Sequence, residues 1–135
     1  MKVHTTTEHF NMPTHDLYNF LSSIENLKKW ATGHCLDVKK EGNDYKIITP
    51  KGEMYQVFEK DKNTGVIDMF SGPSKDMMWC WPTRVVDDNM GGSIFIFTCI
   101  QMPEQSDEEF SMQCSGLDKE FGNIRNIIED QRMAS

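Results

Sequence analysis

Apolar and polar positions recur with different periods in successive stretches of the chain, and each stretch predicts its own elements. Residues 2–11, "KVHTTTEHFN", are rich in β-branched side chains and predict a strand. It stops at "NMP", where Pro13 ends strand pairing and Thr14 is placed to cap a helix. In "THDLYNFLSSI" the residues Leu17, Tyr18, Phe20, Leu21 and Ile24 recur at three- and four-residue steps, giving one apolar helix face. "SIENLKKW" predicts a second short helical piece with Ile24, Leu27 and Trp30 on one side, ended by Gly33.

From residue 34 to about 102 the pattern becomes that of strands punctuated by turns. Turn chemistry occurs in "KEGND", "TPKGE", "DKNTG", "SGPSKD" and "DDNMGG". Between these turns lie "HCLDVK", "YKIIT", "MYQVFEK", "VIDMFS", "MMWCWPTRVV" and "SIFIFTCIQM". Loops this short predict an antiparallel meander, because parallel neighbours need long crossovers.

After "QMPEQSDEEF" the period changes to that of a helix, with Phe110, Cys114, Leu117, Phe121, Ile124 and Ile128 on one face. Ser106 and Glu109 have the spacing of a capping box, and Asp107 and Glu108 suit the positive end of the helix dipole. Continued to residue 133, the helix is roughly 40 Å long and needs a concave apolar partner. The fold class expected is α+β: a strongly curved antiparallel sheet of about seven strands wrapped around a long C-terminal helix, with two short helices after the first strand. The short helices are expected to close one end of the sheet, with Trp30 sealing the core.

A length of 135 residues suits one domain over 1–135 with one core, or one core with a cavity. The net charge of −7 argues against nucleic acid or an anionic membrane surface as partner. Lys28, Lys29, Lys39 and Lys40 are too small a basic group to reverse that. No apolar run has signal-peptide or membrane-spanning length, so a cytoplasmic protein without membrane insertion is expected, as monomer or homodimer. Cys35, Cys80, Cys99 and Cys114 form no CxxC pair and read as reduced, mostly buried thiols. Ten Met, eight Phe and three Trp form a mixture suited to packing around something irregular, although an ordinary Met-rich core fits the same composition.

The stretches "LYNFLSSIENLKKW", "GVID" and "PTRVV..NMGGSIFIFT", followed by the long terminal helix, resemble the START-like superfamily, the polyketide cyclase and lipid-transport (SRPBCC) type. Its helix-grip fold is shared with the birch-pollen allergens, and the similarity is greatest to small bacterial members without assigned substrates. The resemblance covers nearly the whole chain. It implies an apolar cavity between sheet and C-terminal helix, and ligands of lipid, sterol, hormone or polyketide type. Some members catalyse cyclisation or dehydration, so fold alone leaves function open.

Alternation within the strands suggests what lines such a cavity. Met77, Trp79, Trp81 and Thr83 share one face of their strand, and Phe95, Phe97 and Cys99 share one face of the next. The aromatic set is preferred as the inner one, since large aromatics exposed together are an aggregation hazard. Candidate ligand-binding residues on the strands are Met54, Phe58, Met77, Trp79, Trp81, Phe95 and Phe97. Those on the helices are Trp30, Phe110, Cys114, Leu117 and Phe121.

Asp68, in "GVIDMF", is the weak catalytic candidate. Facing inward it would be a desolvated acid or base; facing outward it would meet solvent or pair with Arg84. Arg84 inside a cavity would clamp a carboxylate or phosphate, but the outward or ion-paired placement is preferred. His4, His9, His15 and His34 have no metal-ligand spacing, so no metal and no cofactor are expected. No nucleophile has a local base, and "MGGS" has no following helix to cradle a phosphate. The function expected is binding of a hydrophobic or amphipathic small molecule between sheet and helix. The alternatives are a cyclase or dehydratase using a cavity acid or base, and a ligand-free protein-interaction domain.

Overall fold

The computed structural model describes residues 1–134. Strand β1 (Val3–Phe10) is followed by helix α1 (Thr14–Leu21), a 3-10 turn (Ile24–Asn26) and helix α2 (Leu27–Trp30). Six strands follow: β2 (Asp37–Glu41), β3 (Asp44–Thr49), β4 (Gly52–Asp61), β5 (Val66–Ser74), β6 (Met77–Asp87) and β7 (Ser93–Ile100). Helix α3 (Asp107–Ala134) ends the described chain.

The strands form one antiparallel sheet in the order β1-β7-β6-β5-β4-β3-β2. Six of its strands are the predicted meander, and β1 returns to pair along β7, Val3 opposite Ile100 and Phe10 opposite Ser93. Turn chemistry explains the hairpins. At Gly65 the backbone is left-handed (φ +78°), and a Cβ there would lie 2.0 Å from the Val85 carbonyl oxygen. Only glycine lets the β4–β5 turn come so close to β6. In the β6–β7 turn, Asp88 Oδ1 accepts the N–H groups of Met90 (2.7 Å) and Gly92 (2.9 Å), and its Oδ2 lies 2.6 Å from His9 Nε2 of β1.

Two local expectations are corrected. Pro13, not Thr14, occupies the cap of α1, its carbonyl taking the N–H groups of Asp16 and Leu17. Thr14 is the first helical residue, and its hydroxyl is buried without a partner. Helix α2 ends at Trp30 rather than at Gly33, and residues 31–36 form a loop tied down by Cys35 N–H to Ala31 O (2.7 Å) and Leu36 N–H to Ile48 O (2.8 Å). The capping box of α3 forms as predicted: Glu109 N–H reaches Ser106 Oγ (3.1 Å) and Ser106 N–H reaches the Glu109 carboxylate (3.3 Å).

The core lies between the concave face of the sheet and α3. Phe95 of β7 stacks on Phe121 of α3 with centroids 5.1 Å apart and planes 11° apart. Trp30 stands edge-on to Phe95 (6.1 Å) and Phe97 (6.5 Å), so the end of α2 does seal the core. Each such pair contributes about 1 kcal/mol beyond the area it buries. Phe110, Leu117, Ile124 and Ile128 complete the buried stripe of α3.

Candidate functional site

One stretch between sheet and helix is left unfilled. The rings of Phe95 and Phe121 occupy the space under one part of α3, whereas beneath residues 109–120 there is a cavity of about 560 Å³. Its floor is the inner face of β4 to β7, set by strict alternation: Met54 and Gln56, then Met69 and Ser71, Trp79 and Trp81, and Phe97 and Cys99. Leu27, Trp30, Ala31, Gly33 and His34 close one side, and Thr49 to Lys51 form another. Gln113, Leu117 and Glu120 of α3, with Met102 and Gln105 of the preceding loop, make the roof.

Glutamines pin that roof. Gln101 Nε2 donates to Gln105 O (3.0 Å) and to Asp107 Oδ1 (2.9 Å), and Gln105 Nε2 donates to Gln113 Oε1 (2.7 Å). The β7–α3 loop is thereby fastened to the first turns of the helix.

Of the titratable side chains that line the cavity, Glu120 and His34 come from opposite elements and are the most desolvated acid and imidazole. Glu120 Oε2 accepts the N–H of Gly33 at 3.2 Å, joining α3 to the 31–36 loop. Burial pushes its carboxyl up to about 7, against the N–H groups of Gly33 and His34, which favour the ionised form. Burial also pushes the His34 imidazole below its ordinary value, favouring the neutral ring. That ring lies 6.2 Å from the ring of Trp81, tilted by 49°. Gln56 and Ser71, cross-strand partners 4% and 1% exposed, are the buried polar groups of the floor. The Ser71 hydroxyl has only the Met54 sulfur as partner, at 3.8 Å.

Of the residues singled out in the sequence, Trp30, Met54, Trp79, Trp81, Phe97 and Leu117 line the cavity. Phe95, Phe110 and Phe121 instead fill the core, where ring packing leaves no space beside them. Phe58 packs against the core beyond Gln56 on β4, and Cys114 packs against the core on α3. Met77 begins β6 at the hairpin and is 56% exposed. Asp68 falls on the outer face of β5, away from the cavity, because Ile67, Met69 and Ser71 take the inner one. Arg84 is exposed on the outer face of β6, and its Nε donates to Thr64 O at 3.1 Å.

The inner face of β6 and β7 is the aromatic one, with Thr83, Phe95 and Cys99 buried upon it. Burial holds the Cys99 thiol up at about 12 and the Cys35 thiol at about 11, so neither supplies a thiolate near neutrality. Among the described residues no group of three or more His, Cys, Asp or Glu could hold a metal ion. Nor is any helix among them long and apolar enough to cross a membrane.

No protein-family model and no curated protein matches this sequence. Solved structures do. Protein XoxI from Bacillus cereus superposes with a TM-score of 0.75 over 98% of this chain and 99% of its own, at 12% identity. The Aha1 dimer from Colwellia psychrerythraea matches with a TM-score of 0.71 over 96% and 97%, at 16% identity. Ara h 8.0201 matches with 0.63 over 96% and 99%, also at 16% identity. This chain has a helix-grip fold. At such identities the likeness is one of fold, and it agrees at that level with the START-like resemblance in the sequence. In the helix-grip arrangement α3 is what the sheet holds, and the cavity described above lies within that grip.

Proposed function

We propose that this chain binds a hydrophobic or amphipathic small molecule, of lipid or aromatic polyketide type, in the space between sheet and α3. One observation carries the reading: a cavity of about 560 Å³ between sheet and α3, open to solvent on one side and walled by Trp30, Trp79, Trp81, Phe97, Met54 and Met69. The volume is typical of small-molecule sites, as is an apolar wall with a few convergent polar groups. The working setting proposed is the cytoplasm, and the Aha1 likeness makes a homodimer the assembly to test by light scattering.

Native mass spectrometry of the protein from its own host, followed by release and identification of the bound molecule, tests the reading. A stoichiometric apolar ligand is expected. Met69→Trp, which puts an indole into the cavity, should lose that ligand while keeping the circular dichroism of the parent. An empty parent that also fails to take up an apolar fluorophore would refute it and favour a protein-interaction role.

A second reading, proton transfer on the bound molecule, is favoured by Glu120 alone. An acid held at about 7 on an apolar wall is suited to act as general acid or base. Turnover of the identified ligand that disappears in Glu120→Gln would establish it.

A further inference from the structure

Resting on the binding reading above, we infer that the cavity selects an organic cation: an apolar, preferably aromatic, body carrying a protonated amine, with the amine held at the Glu120 carboxylate beside the Trp81 face. The charges around the cavity point this way. Its lining includes three carboxyl side chains, Glu104, Glu109 and Glu120, and one ammonium, Lys51. Among the described residues no arginine lines it, and Arg84, which could have clamped an anionic head group, is on the opposite face of the sheet. A carboxylate or phosphate entering here meets no bidentate donor and a surplus of like charge.

The wall chemistry agrees. Trp79 and Trp81 are neighbours on the inner face of β6 and both line the cavity, and indole is the aromatic surface that attracts cations most strongly. Glu109 accepts Ser106 N–H at the helix cap, whereas Glu120 is held at Gly33, next to His34, whose ring lies 6.2 Å from that of Trp81. The floor provides a second anchoring point. Gln56 is 4% exposed and lines the cavity. With the neighbouring Ser71 hydroxyl, held only by a sulfur, it provides neutral polar groups for a hydroxyl or carbonyl on the ligand body.

A matched set of probes tests this: naphthylmethylamine, naphthylmethanol and naphthoate, titrated calorimetrically against the whole chain. At about pH 8 the amine should bind about tenfold more tightly than naphthoate, the ratio expected of one charge-assisted contact in a partly buried site. The groups that face Glu120 are His34 and Cys35 of the loop, Cys99 of β7, and Lys51, Glu104 and Glu109 around the cavity. Burial beside the 31–36 loop raises the Glu120 carboxyl to about 7, so the ratio should shrink toward parity at about pH 6. Glu120→Gln should give near-parity at about pH 8; the wild-type pH series stands alone if that variant does not fold. Naphthoate binding as tightly as the amine, or a ratio indifferent to both pH and the substitution, would overturn the cation assignment while leaving the binding reading intact, provided the alcohol binds. Failure of all three probes would overturn both.

Discussion

Replacing Glu120 by glutamine is expected to stabilise the fold in alkali and to do nothing for it in acid. In the unfolded chain this carboxyl ionises at its ordinary 4.5, and in the folded chain at about 7. Between those values the folded chain holds a proton that the unfolded chain has released, so stability falls as pH rises through the window. Above it, the whole cost of ionising a largely buried acid is carried, on the order of 3 kcal/mol for that interval. The amide oxygen of the glutamine would still accept the Gly33 N–H that Glu120 now holds at 3.2 Å, and the amide cannot ionise. Urea unfolding of both proteins at several values between about pH 4 and 9 is the assay. The variant should gain roughly 2–3 kcal/mol over the parent at the upper end and nothing at the lower. His34 acts in the opposite sense, since burial disfavours its charged form and its contribution improves as pH rises toward its ordinary 6.5, above which it is complete. Being present in both proteins, it cancels in the difference. A difference that is constant with pH, or largest in acid, would mean that Glu120 is not desolvated, and the argument for its role at the cavity would go with it.

Asp88→Ala should lower the melting temperature near neutrality, because Met90 and Gly92 lose their acceptor and His9 its partner. His9 and the N–H groups of the turn hold this carboxyl below its ordinary 3.8, so its contribution is present above that value and is lost as pH falls below it. The melting curves of parent and variant should therefore converge in strong acid. Trp30 is 1% exposed, yet its indole N–H is buried without an acceptor among the described residues. Trp30→Phe, which removes that unpaired donor together with one ring, should cost less than about 1 kcal/mol in urea unfolding, against about 3–5 kcal/mol for Trp30→Ala.

Strand and helix periods carried the architecture well, because burial on one face imposes them directly on residue type. Phe95, Phe97 and Cys99 alternate in β7 as a half-buried strand requires, and the capping box at Ser106 forms at the predicted residues. Asp68 was ambiguous in the sequence because both faces of its strand are apolar; only the pairing of β5 with β4 and β6 sends Ile67 and Met69 inward. The cavity acid was harder to read. Glu120 looks like one of several acids on the polar side of α3, and its desolvation comes from the 31–36 loop folding over it, a contact between residues 87 positions apart. The local signal is the spacing of Glu109, Gln113, Leu117 and Glu120, which puts polar groups along the border of the apolar stripe. Gln56 likewise reads as a break in the apolar inner face of β4, which in a packed core would be a defect and here borders open space.

The return of β1 to the far edge of the meander sets an order on the making of this molecule. Val3 pairs with Ile100, so β1 has no partner in this sheet until β7 is made. At roughly 5–20 residues per second that is a delay on the order of ten seconds, during which β2 to β6 can zip as successive hairpins. β1 must stay out of that growing sheet, and its run of threonines, weakly apolar on both sides, gives it little to bury there. Closure of the sheet and docking of α3 onto it therefore wait until β7 and α3 have both been made, and the cavity takes shape only then.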